Sequence, residues 1–539
     1  MFPAGCGDEG YSMSDRNHLV LRLLLACVVL VVWAPAASSD CPPYLVPTQR
    51  FGVDLVPGFG HIDDYDVASL HIAWYSDWWA TIDPPRPGGI EYVPLITIEN
   101  WAREDTGVTE VHWHVDGFTT NINSWGRLEQ VVAANPGSLW LIGNEPECPN
   151  YPGGGNLTVE MYVPLYHDLY HFIKNLDSTA RIANGGVVEP TPLRLLWLDN
   201  MLQFYQDTYH VPMPVDVWTT HVLILQEDRY DWGCGIPVGL TQNQGRLYSE
   251  TDSANVAIFQ QLVVELRTWM NARGLRDKPL WITEYGVLMP DWYVTDDQVK
   301  AFMTGSFDYL LSATDAGIGY PADGNRLVQR WAWNSLNDQP YQWVDSCQCY
   351  AGFNGSLFLY SDPNYPGTLT TFGQNFKAYT DALLTGTVCL AGTVHLDGRP
   401  AAPHSSYVTD LAVTLYPVGC SGGDARVVTT NTSGEFTLCA IAPGTYDVRV
   451  KNDSTLATRT SAVALTAGST PVDLGLLRSG DANNDNCVGI VDFSILAAAY
   501  GTTTGETRFD ARADMNGDGL VDILDFSWLA TRYGECGAP

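Results

Sequence analysis

From Arg50 to about Leu384 the chain alternates short apolar runs with longer amphipathic ones, and that rhythm leaves few folds open. The short runs are Phe51–Val56, Leu70–Trp74, Tyr92–Ile98, Leu139–Gly143, Arg181–Val187, Val215–His221, Leu280–Glu284 and Gln329–Trp333. Each is five to seven residues long, the length of a buried strand and not of a helix. Between and after them lie Met161–Asn175, Leu193–Tyr205, Val256–Ala272, Gln298–Leu311 and Phe372–Leu384, spaced as helices with one apolar face. Strands separated by helices are joined by crossovers, so they run parallel. Eight such units over residues 41–385 predict a (β/α)8 barrel. A doubly wound sheet wants a Gly-rich phosphate turn after its first strand, and Gly58-Phe59-Gly60 is too weak to supply one.

After Thr385 the texture changes. Leu411–Tyr416, Val427–Thr430, Gly434–Leu438, Gly444–Val450 and Ala462–Leu465 are short β-type runs broken by Gly, Pro and Asp, which predicts a β-sandwich over residues 386–478. Thr432-Ser433-Gly434-Glu435-Phe436 and Ile441-Ala442-Pro443-Gly444-Thr445-Tyr446 resemble the carboxypeptidase regulatory-like, prealbumin-type sandwich. That resemblance implies a spacer or binding accessory.

Residues 479–539 hold an internal repeat. Asp481, Asn483, Asp485 and Asp492 recur thirty-three positions later as Asp514, Asn516, Asp518 and Asp525. Phe493, Leu496, Ala497 and Tyr500 recur at the same offset as Phe526, Leu529, Ala530 and Tyr533. Oxygen side chains at loop positions 1, 3, 5 and 12 have the spacing of an EF-hand loop, which wraps a hard cation in alternate side chains. Position 7 coordinates through a backbone carbonyl, here of Cys487 and Leu520, and position 9 is Gly489 or Asp522. Each loop runs into an apolar-faced helix with no convincing helix before the first. This half EF-hand pair resembles a type I dockerin, which implies two structural Ca2+ ions and a cohesin-type protein partner. Ile490, Val491, Ile523 and Leu524 occupy the recognition positions that the resemblance assigns.

Leu141-Ile142-Gly143-Asn144-Glu145-Pro146 ends the fourth strand, and Leu280-Trp281-Ile282-Thr283-Glu284-Tyr285-Gly286 ends the seventh. The C-terminal strand ends of a barrel share one mouth, so Glu145 and Glu284 are expected to face each other there. Glycosidic cleavage uses two such carboxyls, one to protonate the leaving oxygen and one to attack or stabilise the anomeric carbon. The two strand ends resemble clan A glycoside hydrolases, a TIM-barrel clan. The resemblance implies Glu145 as acid/base, Glu284 as nucleophile, retention of configuration, and no cofactor for catalysis. It implies Asn144 on the sugar 2-hydroxyl, His221 beside the nucleophile, Trp333 as an aromatic floor and Tyr285 as a further contact. Glu284 is expected to stay ionised and Glu145 to be held towards neutrality. Eighteen tryptophans suit a polysaccharide or oligosaccharide substrate, and Trp78, Trp101 and Trp232 are the loop platforms. The alternative is a glycan-binding or structural cell-surface protein with a dead barrel.

Composition narrows the setting. Of 539 residues, 45% are hydrophobic and 17% charged, and 61 acidic against 28 basic residues give a net charge of −33. Such a field repels phosphate backbones and anionic lipid, so no nucleic acid is expected, and neutral or cationic partners suit it. Arg16, His18 and Arg22 flank an apolar run, Leu23–Trp33, followed by Ala34-Pro35-Ala36-Ala37. That is a secretory leader over residues 1–39, and no run is long enough to span a membrane. Twelve cysteines agree with export and disulfides. With Cys6 and Cys27 removed with the leader, Cys389 is expected to bridge to the barrel, Cys420 to pair with Cys439, and Cys487 with Cys536. Pairs among Cys148, Cys234, Cys347 and Cys349 are expected to brace the mouth.

Overall fold

A computed structural model describes residues 41, 43–102, 109–117, 120–149, 154–344, 349–360, 367–468 and 471–539. The leader expected over residues 1–39, with Cys6 and Cys27, and also Cys347, lie outside the described residues.

The strands are β1 (Phe51–Asp54), β2 (Trp74–Ser76), β3 (Glu91–Tyr92), β4 (Leu95–Ala102), β5 (Thr109–His114), β6 (Leu139–Asn144), β7 (Arg181–Gly186), β8 (Trp218–His221), β9 (Leu280–Tyr285) and β10 (Arg330–Trp333). A small antiparallel pair follows, β11 (Gln342–Val344) and β12 (Cys349–Ala351). The helices are α1 (Trp125–Ala134), α2 (Val159–Leu176), α3 (Pro192–Tyr209), α4 (Val256–Ala272), α5 (Asp296–Ser312) and α6 (Thr371–Leu383). Caps fix several starts: Asn255 accepts from the N–H groups of Ala257 and Ile258, and Thr370 from that of Gly373.

One sheet has the order β3-β2-β1-β10-β9-β8, parallel throughout, and a second has the order β5-β4-β6-β7, with only β5 antiparallel. Parallel bridges at Ala183↔Val217 and Val187↔Thr220 join the β7 and β8 edges. Strand alternation sends side chains to two cores. Phe51, Val53, Trp140, Ile142, Trp331 and Trp333 pack outward among helix residues such as Phe259, Phe302 and Phe307. Trp74, Val93, Leu95, Leu139, Leu141, Ala183, Val217, Trp281 and Ala332 form a separate cluster contributed only by strands and their flanks. Gly52 lets these inner side chains close up, since a Cβ there would lie 2.2 Å from the Trp74 ring. The second expected strand is displaced: residues 67–70 form a 3-10 turn, and pairing begins only at Trp74.

Next come β13 (Val388–Leu396), β14 (Asp410–Pro417), β15 (Asp424–Thr429), β16 (Glu435–Ile441), β17 (Gly444–Lys451), β18 (Thr458–Leu465) and β19 (Val472–Leu477). They make two sheets, β16-β13-β19 and β15-β14-β17-β18, over one apolar core. Two expected disulfides are corrected here. Cys389 pairs with Cys439 across the adjacent strands β13 and β16, so it is no bridge to the preceding sheets and Cys439 is not left for Cys420.

The last helices are α7 (Ile490–Ala499) and α8 (Ile523–Arg532), closed over Val488, Leu496, Met515, Val521 and Leu529. Cys487 and Cys536 are bonded as expected. Among the described residues no helix is long and apolar enough to cross a membrane.

Candidate active site

Glu145 follows directly on β6 with its backbone in the left-handed region, φ 40°. A non-glycine residue there costs on the order of 1 kcal/mol and persists only where its surroundings enforce it. Here the Glu145 N–H donates to the Gly186 carbonyl at 3.0 Å, and its own carbonyl accepts from Cys148 and Gly155. The disulfide Cys148–Cys234 ties this turn to the loop after β8, one of the rim pairs expected from the sequence.

His221 ends β8 and Glu284 lies near the end of β9. Pairing between these strands passes from Thr220↔Ile282 to His221↔Glu284 and skips Thr283. This bulge brings Glu284 level with the imidazole. His221 Nδ1 lies 3.0 Å from Glu145 Oε1 and 3.8 Å from Glu284 Oε2. One oxygen of each glutamate and a ring nitrogen of His221 all fall within 4.8 Å of one another. All three side chains are buried.

Burial opposes charge on His221, yet the Glu284 carboxyl and the bond to Glu145 outweigh it and raise its pKa. Burial pushes Glu284 up to about 8; His221 works against that, Asp54 and Glu145 add to it, and a hydrogen bond from Asn334 lowers it again. The expectation that Glu284 stays ionised is therefore corrected for the free site. A carboxyl with so little water around it keeps its proton near neutrality.

Room for the imidazole comes from Gly186, where an added Cβ would lie 2.7 Å from His221 Cδ2. Replacing Gly186 by Ala is expected to displace His221 and lower kcat about tenfold to a hundredfold, as misplacing a positioned group does. Steady-state kinetics alongside circular dichroism of the folded variant checks this.

Asn144 closes β6 and is buried beside the pair. Trp333 and Tyr285 are corrected as sugar contacts. Both are fully buried on the outward face: Trp333 packs against Tyr285 and Phe307 and donates to the Gly355 carbonyl at 2.8 Å, and Tyr285 packs on Phe259. Strand phase decides it, because Trp331 and Trp333 share the face opposite to inward Ala332. The three tryptophans expected in loops stay half-buried, and Trp101 is corrected: it lies within β4, paired with Glu110 of β5. Trp78 packs against the inner cluster, Trp101 donates to Glu99 and sits among His112 and His114, and Trp232 lies on the group around Cys148 and Cys234. Glu147 is structural: it is fully buried and accepts from Arg194 at 2.9 Å, within a cluster that includes Glu189 and Glu227.

Asp54, Ser76 and Asn334 are site residues missed in the sequence. Each is buried at or just past a strand end and keeps one polar atom without a partner, Asp54 Oδ2, Ser76 Oγ and Asn334 Oδ1; Asp54 and Asn334 act on Glu284, and Ser76 is the register partner of Asp54. Asp54 ends β1 as visibly as Glu145 ends β6, so treating every strand end alike would have found it.

In the C-terminal repeat the two loops fold alike. Asp481 accepts from the N–H groups of Asp485 and Asn486, and Asp514 from those of Asp518 and Gly519. Asp492 accepts from Asn483 and Gly489, and Asp525 from Met515, Asn516 and Asp522. Asp485 and Asp518 each take the N–H two residues on, from Cys487 and Leu520. This leaves carboxylate, amide and carbonyl oxygens turned round each loop, a donor set that fits a hard cation such as calcium. Asp522 departs from its expected role, because Oδ1 caps α8 by accepting from Leu524. Asp481 is fully buried, and Lys451 Nζ from β17 lies 2.8 Å from its Oδ2.

Residues 479–532 match the family model of the dockerin type I domain. The C-terminal segment is a type I dockerin. No curated protein sequence matches the chain. Among solved structures, the chain is similar to a type II cohesin–X–dockerin complex from Acetivibrio cellulolyticus at 18% identity, covering 28% of this chain and 97% of that one with a TM-score of 0.23. It is also similar to a GH128 (subgroup II) endo-beta-1,3-glucanase from Pseudomonas viridiflava at 16% identity, covering 62% and 98%, with a TM-score of 0.37. A third likeness is to the GH53 catalytic domain of Ignisphaera aggregans, at 12% identity, covering 62% and 98%, with a TM-score of 0.34.

Proposed function

We propose that this chain is a secreted, retaining glycoside hydrolase whose parallel strands close as a (β/α)8 barrel, held to a cohesin-bearing partner by its calcium-loaded dockerin. The observation that carries the reading is the compact set of Glu145, His221 and Glu284, with one atom of each inside 4.8 Å. Carboxyls about 5 Å apart suit double displacement, whereas inversion needs a wider gap to hold a water.

Glu145 gives its proton to the glycosidic oxygen as the bond to the anomeric carbon breaks. Glu284 attacks that carbon from the other face and forms a glycosyl ester. Glu145, now a carboxylate, takes a proton from water as the water cleaves the ester. Before the first step Glu284 must be anionic. Its proton passes by way of His221 Nδ1, bonded to Glu145 at 3.0 Å and 3.8 Å from Glu284, a gap that closes as substrate binds, to Glu145. That transfer arms acid and nucleophile together.

Two calcium ions are proposed, one per loop, held by Asp481, Asn483, Asp485, Asp492 and the Cys487 carbonyl, and by Asp514, Asn516, Asp518, Asp525 and the Leu520 carbonyl. Ile490, Val491, Ile523 and Leu524 are all more than half exposed at matching positions of α7 and α8, an apolar face suited to a cohesin. Release of reducing sugar from a glycan panel tests the hydrolase reading. NMR of the first-formed product is expected to show the substrate's own anomeric configuration, and the opposite anomer would refute double displacement.

A further inference from the structure

Charge is polarised along the strands. Their N-terminal ends are basic: Arg50 precedes β1, Arg181 opens β7 and Arg330 opens β10. Each is spent on an acid at that end, Arg50 on Asp323, and Arg181 and Arg330 on Glu91. The C-terminal ends are acidic: Asp54 on β1, Asp77 just past β2, Glu145 past β6 and Glu284 on β9. Arg194 near this mouth is fully buried and already paired with Glu147 and Glu227. Among the described residues at the strand ends themselves, an anionic sugar, a uronate or a sulfate ester, would meet these carboxyls, and His221, bonded to Glu145, is the cation beside them.

The atoms left unpaired point the same way. Asp54 is 3% exposed, and its register partner on β2 is Ser76. On its other side β1 pairs with β10, the Leu336 N–H donating to the Asp54 carbonyl just beyond Asn334. Asp54 also acts electrostatically on Glu284. Asp54 Oδ2 and Asn334 Oδ1 are acceptors, and Ser76 Oγ accepts as readily as it donates. Buried acceptors without partners carry a desolvation cost that only a ligand rich in donors removes. A carboxyl beside them calls for a donor with positive charge. An ammonium supplies three donors and the charge.

We propose that the substrate is a glycan of unacetylated amino sugars, and that Asp54, with Ser76 and Asn334, receives the ammonium next to Glu284. This rests on the glycosidase reading and narrows it. Burial raises the Asp54 pKa well above the ordinary carboxylate range in the free site, and the arriving cation would restore its charge. A site built to bond a donor also discriminates strongly against analogues that lack it.

The full-length protein, with calcium, should be assayed on oligomers of glucosamine, on the same oligomers fully N-acetylated, on neutral gluco-oligosaccharides and on oligogalacturonate. The expected result is a kcat/KM for the glucosamine oligomers at least tenfold above every other class, with oligogalacturonate slowest. Asp54→Asn is expected to raise KM on the glucosamine oligomers at least tenfold and to erase the preference. Should that variant not fold, the substrate ranking of the unaltered protein still decides. Neutral or acetylated oligomers cleaved as well as the amino sugars would overturn the amino-sugar proposal and leave the hydrolase standing. Cleavage of none of the four would overturn the amino-sugar proposal, and no reducing sugar from the wider glycan panel either would remove the hydrolase reading with it.

Discussion

Glu284→Gln is expected to abolish turnover while making the protein harder to unfold. The amide cannot attack the anomeric carbon, so kcat on a polymeric substrate should fall by at least about 10^4. Glu145→Gln should cost about 10^2–10^4, the range of a lost general acid, and least on substrates with a good leaving group. Stability moves the other way because of what burial does to Glu284. Its pKa rises to about 8 in the folded protein, against an ordinary value of 4.5. Folding therefore favours the protonated form. The stability linked to this proton is fully present below pH 4.5 and is lost as pH climbs through about 8. Gln carries no such linkage. The melting temperature of Glu284→Gln minus that of the unaltered protein should thus grow between pH 5 and pH 8. A gap that is flat or shrinks over that range would mean that Glu284 is ionised at little cost, and the proton transfer through His221 would lose its basis.

The same proton shapes activity. Because the proton held on Glu284 in the free site is the one that passes to Glu145, kcat/KM should fall with unit slope on the alkaline side of about 8, where that proton is lost.

Much of this was readable in the sequence, and the failures have physical causes. Parallel strands buried on both faces are continuous apolar runs, so Leu139–Asn144, Arg181–Gly186 and Leu280–Tyr285 could be placed almost to the residue. Helices with one strong apolar stripe were equally visible, Val256–Ala272 most of all. What a run cannot display is phase at its end. The clan resemblance put Trp333 and Tyr285 at the mouth, yet alternation turns both under α5. The bulge that brings Glu284 level with His221 depends on how β8 and β9 pair, which no local pattern encodes. β13 was missed although Val388, Leu390, Val394 and Leu396 alternate inward, because Gly392 interrupts its apolar face, and β19 because only Leu474 and Leu477 of its six residues are buried. The cysteine count suggested Cys389 as a bridge between domains; the close approach of β13 and β16 shows why it stays within its own sandwich, while Cys41 and Cys420 are each disulfide-bonded. Lys451 was invisible for a related reason: its partner Asp481 lies thirty residues on, in another motif.

Chelating calcium is expected to cost the full-length protein its C-terminal fold and leave hydrolysis nearly unchanged, and Lys451 sets how large the structural loss is. Two ten-residue helices bury little apolar surface, so metal binding must supply much of their folding free energy. At a free concentration a hundredfold above Kd, each ion adds about 2.7 kcal/mol. The chemistry proposed for Glu145 and Glu284 would move only protons and a glycosyl group and should persist with chelator present. The loops are not held by metal alone, however. Lys451 is 8% exposed at its side chain, with its ammonium on fully buried Asp481 and also on Asn484 Oδ1 at 2.5 Å. The Ala457 N–H donates to Asn486 Oδ1 at 2.8 Å, and Arg449 reaches the Ala538 carbonyl at 3.0 Å. The sandwich thus supplies the first loop with a resident cation, which neutralises Asp481 when calcium is gone and repels calcium when it arrives. Lys451→Met removes both effects. The metal-free state loses its buried ion pair, at a cost of roughly 3 kcal/mol, and the loaded state binds calcium more tightly. Both changes widen the interval between calcium-loaded and chelated melting of the dockerin. Calorimetry of the full chain with and without chelator should show that interval larger in Lys451→Met than in the unaltered protein, with reducing-sugar release equal in the two. Equal intervals would show that Lys451 neither steadies the empty loop nor opposes the metal.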